Sequence, residues 1–177
     1  MNPRFIFFII VTTLGSWTCH AESDEETQAD ILMLALPASA YLLTLTKQDN
    51  QGAWALTKSL GLTVLSTLAL NSIIDKDAPN DSSTDAFPSG HTSIAFSSAA
   101  FIQRRYGWRP GIPAYLVATY VGHLRIESDD HDELDVIGGA AVGVISSYLL
   151  TKPFNDNVNI SAWADGESVG LRFQVQW

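Results

Sequence analysis

Two short stretches of the chain carry residues whose types and spacing can do chemistry. The first is Phe87-Pro88-Ser89-Gly90-His91-Thr92-Ser93. Pro88 restricts the approach to a helix, Ser89 is a residue type that caps a helix start, and Gly90 lets backbone amides come close to an anion. His91 then sits in the first turn, placed to exchange a proton with whatever those amides hold. The second stretch is Arg125, five residues, His131, three residues, Asp135. On a helix, His131 and Asp135 four apart share one face. A carboxylate bonded to one imidazole nitrogen fixes the tautomer and leaves the other nitrogen as a nucleophile. Arg125 offers a planar fork that matches phosphate oxygens. Each stretch alone also reads as an ordinary polar connector. Together they supply two histidines, an arginine, an orienting aspartate and a Ser-Gly anion cradle. That is a complete set for phosphoryl transfer, in which one histidine attacks phosphorus and the other protonates the leaving oxygen.

Helices must position these groups. The 177 residues suffice for one domain of ordinary size, and charged residues are scarce at 16% against 46% hydrophobic. Five apolar segments, 30–46, 52–74, 91–105, 111–124 and 135–151, are joined by short polar connectors. They are rich in Ala, Ser, Leu and Gly, which suits close helix approach. Gly107 and Pro110 break the chain between the third and fourth. Beyond 152 the pattern changes to two-residue alternation, predicting a terminal β-hairpin over 152–177. The reading is therefore all-α, a helical bundle with a short C-terminal hairpin. Met1–Ala21 has the basic start, apolar run and small residues of a secretory signal, and 22–29 reads as an acidic, mobile lead-in.

The net charge of −9 is a poor match to nucleic acid. The single cysteine, Cys19, leaves neither a disulfide framework nor a cysteine metal cluster. Charge-free runs of about 15 to 18 residues are short for membrane spans. Yet Arg104, Arg105 and Arg109 occupy one connector while 75–90 and 125–135 are acidic, the pattern of a threaded topology with the acidic loops outside. Both a bilayer-spanning bundle and a periplasmic bundle apposed to the membrane satisfy these facts. His123 reads as exposed or structural. Trp54, Trp108, Trp163 and Trp177 read as core, interface or hairpin residues. Lys58 reads as snorkelling from an apolar helix.

The chain resembles the type 2 phosphatidic acid phosphatase superfamily, which shares its fold and site with vanadium haloperoxidases. The resemblance covers about residues 30–151. The family's second motif is complete as Pro88-Ser89-Gly90-His91, and its third stands as Leu124-Arg125, x5, His131, x3, Asp135, with Leu124 where serine is usual. The resemblance implies His131 as nucleophile through a phosphohistidine, Asp135 as its orienter and His91 as general acid. It implies Arg125, Ser89 and Gly90 as phosphate ligands, with no cofactor and no metal. The implied substrate is a phosphorylated lipid or another phosphate monoester or diphosphate, met at the membrane surface on the periplasmic side of the cell envelope. The first motif, Lys-x6-Arg-Pro, is degenerate. Aligned through Pro79, its arginine falls on Ala78 and its lysine on Asn71. Lys76 lies nearby at the wrong spacing. Two other readings stand beside this one; the loss favours the first and argues against the second. One is a catalytically impaired relative that binds phospholipid head groups or a partner protein. The other is a vanadium-dependent haloperoxidase.

Overall fold

The computed structural model describes residues 24–81, 84–154 and the two strands 158–165 and 168–175. The expected signal segment 1–21 lies outside the described residues. Five helices are present among them: α1 (Asp24–Thr46), α2 (Asn50–Asn71), α3 (Gly90–Tyr106), α4 (Trp108–Glu127) and α5 (Glu133–Leu150). Strands β1 (Val158–Asp165) and β2 (Ser168–Val175) pair antiparallel, with Val158 opposite Val175 and Asp165 opposite Ser168. The acidic residues from Asp24 onward are not a mobile lead-in. Asp24, Glu25 and Glu26 form the first turn of α1, where carboxylates meet the positive end of the helix dipole.

Local chemistry explains the helix ends. The Asp49 carboxylate accepts from the Gly52 amide at 2.8 Å and caps α2. Gly107 adopts φ +90°, which a side chain would disfavour, and there the chain leaves α3 and enters α4. Pro110 falls in the first turn of α4, where a missing amide hydrogen costs nothing.

α3 is the central element and packs against all four other helices. Its buried residues are mostly small: Ser93, Ala95, Ser97, Ser98, Ala99 and Ala100. Hydroxyls tie the neighbours to it. Thr63 Oγ1 donates to Ser97 Oγ at 3.0 Å, Thr67 Oγ1 to Ser93 Oγ at 3.1 Å, and Ser147 Oγ to the Ser97 carbonyl at 2.6 Å. The large aliphatic side chains point the other way: Ile31, Leu34, Leu65, Leu68, Ile145 and Leu149 are all more than half exposed. A soluble bundle buries its leucines and shows its serines. This arrangement is reversed, small and polar inside and apolar outside, as suits helices that pack within lipid. α1, α2 and α5 are each long and apolar enough to cross a membrane. The chain is a membrane protein. Trp54 and Trp108 accordingly are not core residues. They are 60% and 61% exposed.

The two ends of the bundle differ in charge. At one end Arg105 is not a solvated connector residue but closes on Asp49, with Nη2 to Oδ1 at 2.6 Å and Nε to Oδ2 at 2.7 Å. Tyr106 Oη donates to the same carboxylate at 2.9 Å. Lys47, Arg104, Arg109 and Lys152 lie at the same end, at the C-termini of α1, α3 and α5 and the N-terminus of α4. The other end gathers the N-termini of α3 and α5 and the last turn of α4, and with them both chemistry-bearing stretches.

Candidate active site

Ser89 sits at the N-cap of α3 and is fully buried, yet its side chain makes no capping bond. Its hydroxyl instead accepts from Thr92 Oγ1 at 3.1 Å. Its backbone amide donates to the Asp135 carbonyl at 3.0 Å, which fastens the start of α3 to the start of α5. Gly90 opens the helix, and the first-turn amides are left over by the α-helical bonding pattern. His91 follows, with Nε2 against the Asp30 carboxylate of α1, a contact linking the two helices.

Arg125 lies in the last turn of α4, 7% exposed. Nη2 reaches Asp130 Oδ2 at 3.0 Å. Asp130 is itself held by Ser128 Oγ at 2.5 Å and Asn80 Nδ2 at 3.0 Å. The remaining guanidinium nitrogens, Nε and Nη1, are buried with no hydrogen-bond partner among the described residues. A buried N–H without a partner is costly, so two on one guanidinium mark a place where an acceptor belongs.

His131 precedes α5 rather than sitting within it, so the shared helical face expected of His131 and Asp135 is corrected in detail. The loop instead folds back on Arg125, whose carbonyl accepts from the His131 amide at 3.1 Å. The imidazole is not a surface group, being 12% exposed. Its Nδ1 stands 3.7 Å from Asp135 Oδ2, too far for a hydrogen bond, and has no other partner among the described residues. Burial, and then the Arg125 charge, push the His131 pKa down to about 4 against the opposing pull of Asp135. His91 is close enough to add to that depression. His131 is thus a neutral imidazole at neutral pH.

Asp135 is fully buried and over-determined. Its backbone amide donates to Asp132 Oδ1 at 3.0 Å, and its Oδ2 accepts from the Asp132 amide at 3.1 Å, a reciprocal capping box. Its Oδ1 accepts from Lys76 Nζ at 2.5 Å. Lys76 also meets Asp132 Oδ2 at 2.7 Å. Partial burial works against the lysine charge, but the two carboxylates outweigh it and hold its pKa above the ordinary value. Lys76 in turn holds the Asp132 carboxyl below the usual range.

The structure therefore brings Ser89, Gly90, His91, Arg125, His131 and Asp135 to one end of the bundle. Asn71 and Ala78 do not act as cation positions. The Asn71 amide donates to the Asp85 carbonyl at 2.8 Å, and Ala78 is buried. Lys76, Asp132, Asp130 and Asp30 were not singled out by motif spacing. The signal for Lys76 was its isolation, the single base in an acidic connector. Among the described residues no group of three or more His, Cys, Asp or Glu is arranged to hold a metal ion.

The fold thus gathers the buried Arg125 of α4 and the two histidines beside the joined starts of α3 and α5 in a membrane protein. Residues 49–159 match the sequence model of the PAP2 superfamily, and the chain belongs to that superfamily. It is 33% identical over 96 residues to the lipid A 4'-phosphatase of Helicobacter pylori, covering 51% of this chain and 48% of that one. It is 27% identical over 140 residues to the lipid A 1-phosphatase of Porphyromonas gingivalis, covering 76% of this chain and 31% of that one. The chain thus spans about half or less of the length of these curated relatives. Among solved structures it resembles the crystal structure of Aquifex aeolicus LpxE, with a TM-score of 0.56 and 20% identity over 68% of this chain and 83% of that one. That likeness is one of fold.

Proposed function

We propose that this chain is a phosphatase acting on phosphorylated membrane lipid, through a phosphohistidine. The observation that carries the reading is the Arg125 guanidinium, buried beside His131 with Nε and Nη1 unsatisfied among the described residues. Phosphate oxygens are the acceptors such donors take, and each charge-assisted bond is worth about 1.5–3 kcal/mol. Gly90 and Ser89 place the leftover amides of α3 against the same anion.

His131 Nδ1 faces Asp135, so Nε2 attacks phosphorus. The P–O bond to the lipid breaks as the P–N bond forms, and His91 gives its proton to the departing oxygen. Water then attacks the phosphohistidine with His91 as base. Inorganic phosphate leaves and His131 is restored. A depressed pKa keeps the nucleophile unprotonated even in mild acid.

Two features support a lipid substrate. The reversed apolar surface sets the site at a bilayer boundary. Beside it, a groove of about 460 Å³ is lined by Ile74, Phe87, Leu134, Ile137, Gly138 and the stem of Lys76, a seat for acyl chain close to the phosphate. The relatives named as lipid A phosphatases agree with this. The positive end of the bundle belongs on the cytoplasmic side, which turns the site toward the periplasm.

Purified protein in detergent should release inorganic phosphate from lipid A phosphates or phosphatidic acid faster than from a soluble ester of the same leaving group. His131→Gln should release none. A folded parent that binds phosphate yet hydrolyses none of these esters would overturn the proposal.

A further inference from the structure

We propose that Lys76 is a positioning residue for His131, acting through the Asp135 carboxylate. The inference rests on the phosphatase reading for its kinetic half and on geometry alone for the other.

The backbone fixes where Lys76 stands. Its amide donates to the Thr84 carbonyl at 3.0 Å and its carbonyl accepts from the Ala86 amide at 2.9 Å, so the connector is clamped on both sides of the residue. The side chain then runs past the apolar groove to the start of α5. There its ammonium bridges Asp132 and Asp135, the two members of the capping box. Asp135 Oδ1 is thereby occupied by Lys76, and Oδ2 is steadied by the Asp132 amide while it faces His131 Nδ1. Without Lys76 the buried Asp135 loses its sole cationic partner among the described residues. The carboxylate is then free to turn away from the imidazole. With Lys76, its charge is shared between a lysine and a histidine, which keeps the ring oriented without protonating it. The family motif places its cations at 71 and 78, where this chain has Asn71 and Ala78, so this arrangement belongs to this chain's own loop.

The groups that face His131 are His91 on α3, Arg125 on α4, Asp130 in the connector and Asp135 on α5. Lys76 stands behind Asp135, bridging it to Asp132. Removing its charge leaves Asp135 with the imidazole alone, so His131 becomes easier to protonate.

The test is Lys76→Met against Lys76→Arg in the full chain, in detergent. Lys76→Met should lower kcat about tenfold or more with KM nearly unchanged, as loss of an orienting group does. The acidic limb of kcat/KM should move up by about one pH unit, as a carboxylate freed from its lysine predicts. Lys76→Arg should recover both. NMR titration of the His131 ring, identified by its absence in His131→Gln, should show the same upward move whether or not the protein turns over substrate. A loss confined to KM, with weaker inhibition by inorganic phosphate and an unmoved limb, would mean that Lys76 meets the substrate directly and would overturn the proposal. So would a His131 titration that does not move. If Lys76→Met does not fold, Lys76→Gln, which keeps the stem and removes the charge, carries the same expectations. A parent that hydrolyses nothing sinks the phosphatase reading alone, and the ring titration still decides the role of Lys76.

Discussion

Gly139 of α5 lies directly under the carbonyl of Ser89: a β-carbon there would stand 2.5 Å from that oxygen. Four residues on, Gly143 has the same relation to the Ser93 carbonyl, closer still. These two glycines let α5 slide against α3 until the Ser89 amide reaches the Asp135 carbonyl. The distance between the stretch holding His91 and the stretch holding His131 is set there.

Gly139→Val should therefore push the two helix starts apart. Overpacking of this kind costs about 1–3 kcal/mol. Activity should fall by more than the stability loss explains, because His91 rides on α3 while His131 is carried by the connector that leads into α5. Gly61 supplies the control, since a β-carbon on it meets nothing within 4 Å. Gly61→Ala should stabilise α2 by about 0.5–1 kcal/mol and leave turnover alone. Thermal unfolding in detergent and phosphate release measure both. Equal activity in Gly139→Val and the parent would mean that close helix approach does not set the site.

The depressed His131 pKa has a signed consequence for stability. Between the ordinary histidine pKa near 6.5 and its folded value of about 4, the unfolded chain binds a proton that the folded chain refuses. Stability must then fall as pH drops through that window, by up to about 1.4 kcal/mol per pH unit from this residue, and level off below it. His131→Gln removes the group, so the parent should lose stability relative to His131→Gln between pH 6.5 and 4. Parallel stability curves would show that the ring is not held neutral.

How much of this was legible in the sequence depends on whether a feature is local. Pro88-Ser89-Gly90-His91 and Arg125-x5-His131-x3-Asp135 are short spacings, and the fold brings both to the same end of the bundle. The five apolar segments also became five helices, because charge-free runs bounded by Gly, Pro and acids are local signals. The Lys76–Asp135 and His91–Asp30 pairs were not legible, since each joins residues about sixty positions apart whose meeting depends on helix packing. The acidic start of α1 was misread as a lead-in because its carboxylates look solvated in one dimension. Asp30, nearly two turns into that helix, turns inward to His91. Membrane character stayed open for a related reason. Run length judges each helix alone, whereas the deciding fact is which face of each helix holds its leucines.

At the far end of the bundle, the Arg105–Asp49 pair should matter for folding and not for turnover. Its carboxylate also accepts from Gly52 and Tyr106, so Arg105→Leu leaves a buried charge with fewer partners. Breaking a buried pair from one side costs about 3–5 kcal/mol. Asp49→Asn with Arg105→Leu should cost less than the sum of the two single changes, since neither charge is then stranded. KM should stay at the parent value in every variant that folds. A change in KM would tie this end of the molecule to the site.

The His91–Asp30 pair yields the sharpest kinetic separation. If His91 protonates the leaving oxygen, then His91→Ala should cost about 10²–10⁴-fold with a lipid phosphate, whose alkoxide leaves badly without a proton. With an aryl phosphate whose phenolate leaves readily, the same variant should lose far less. Asp30 holds the His91 ring from α1. Asp30→Asn should repeat the pattern at smaller size, about tenfold on the lipid ester and little on the aryl ester, because a misoriented acid is still an acid. The ratio of the two rates, not either rate alone, is the measurement, since it cancels any general loss of folded protein. If both variants slow the two esters equally, His91 is not the proton donor. The Asp30 contact would then be a tie between α1 and α3 and nothing more.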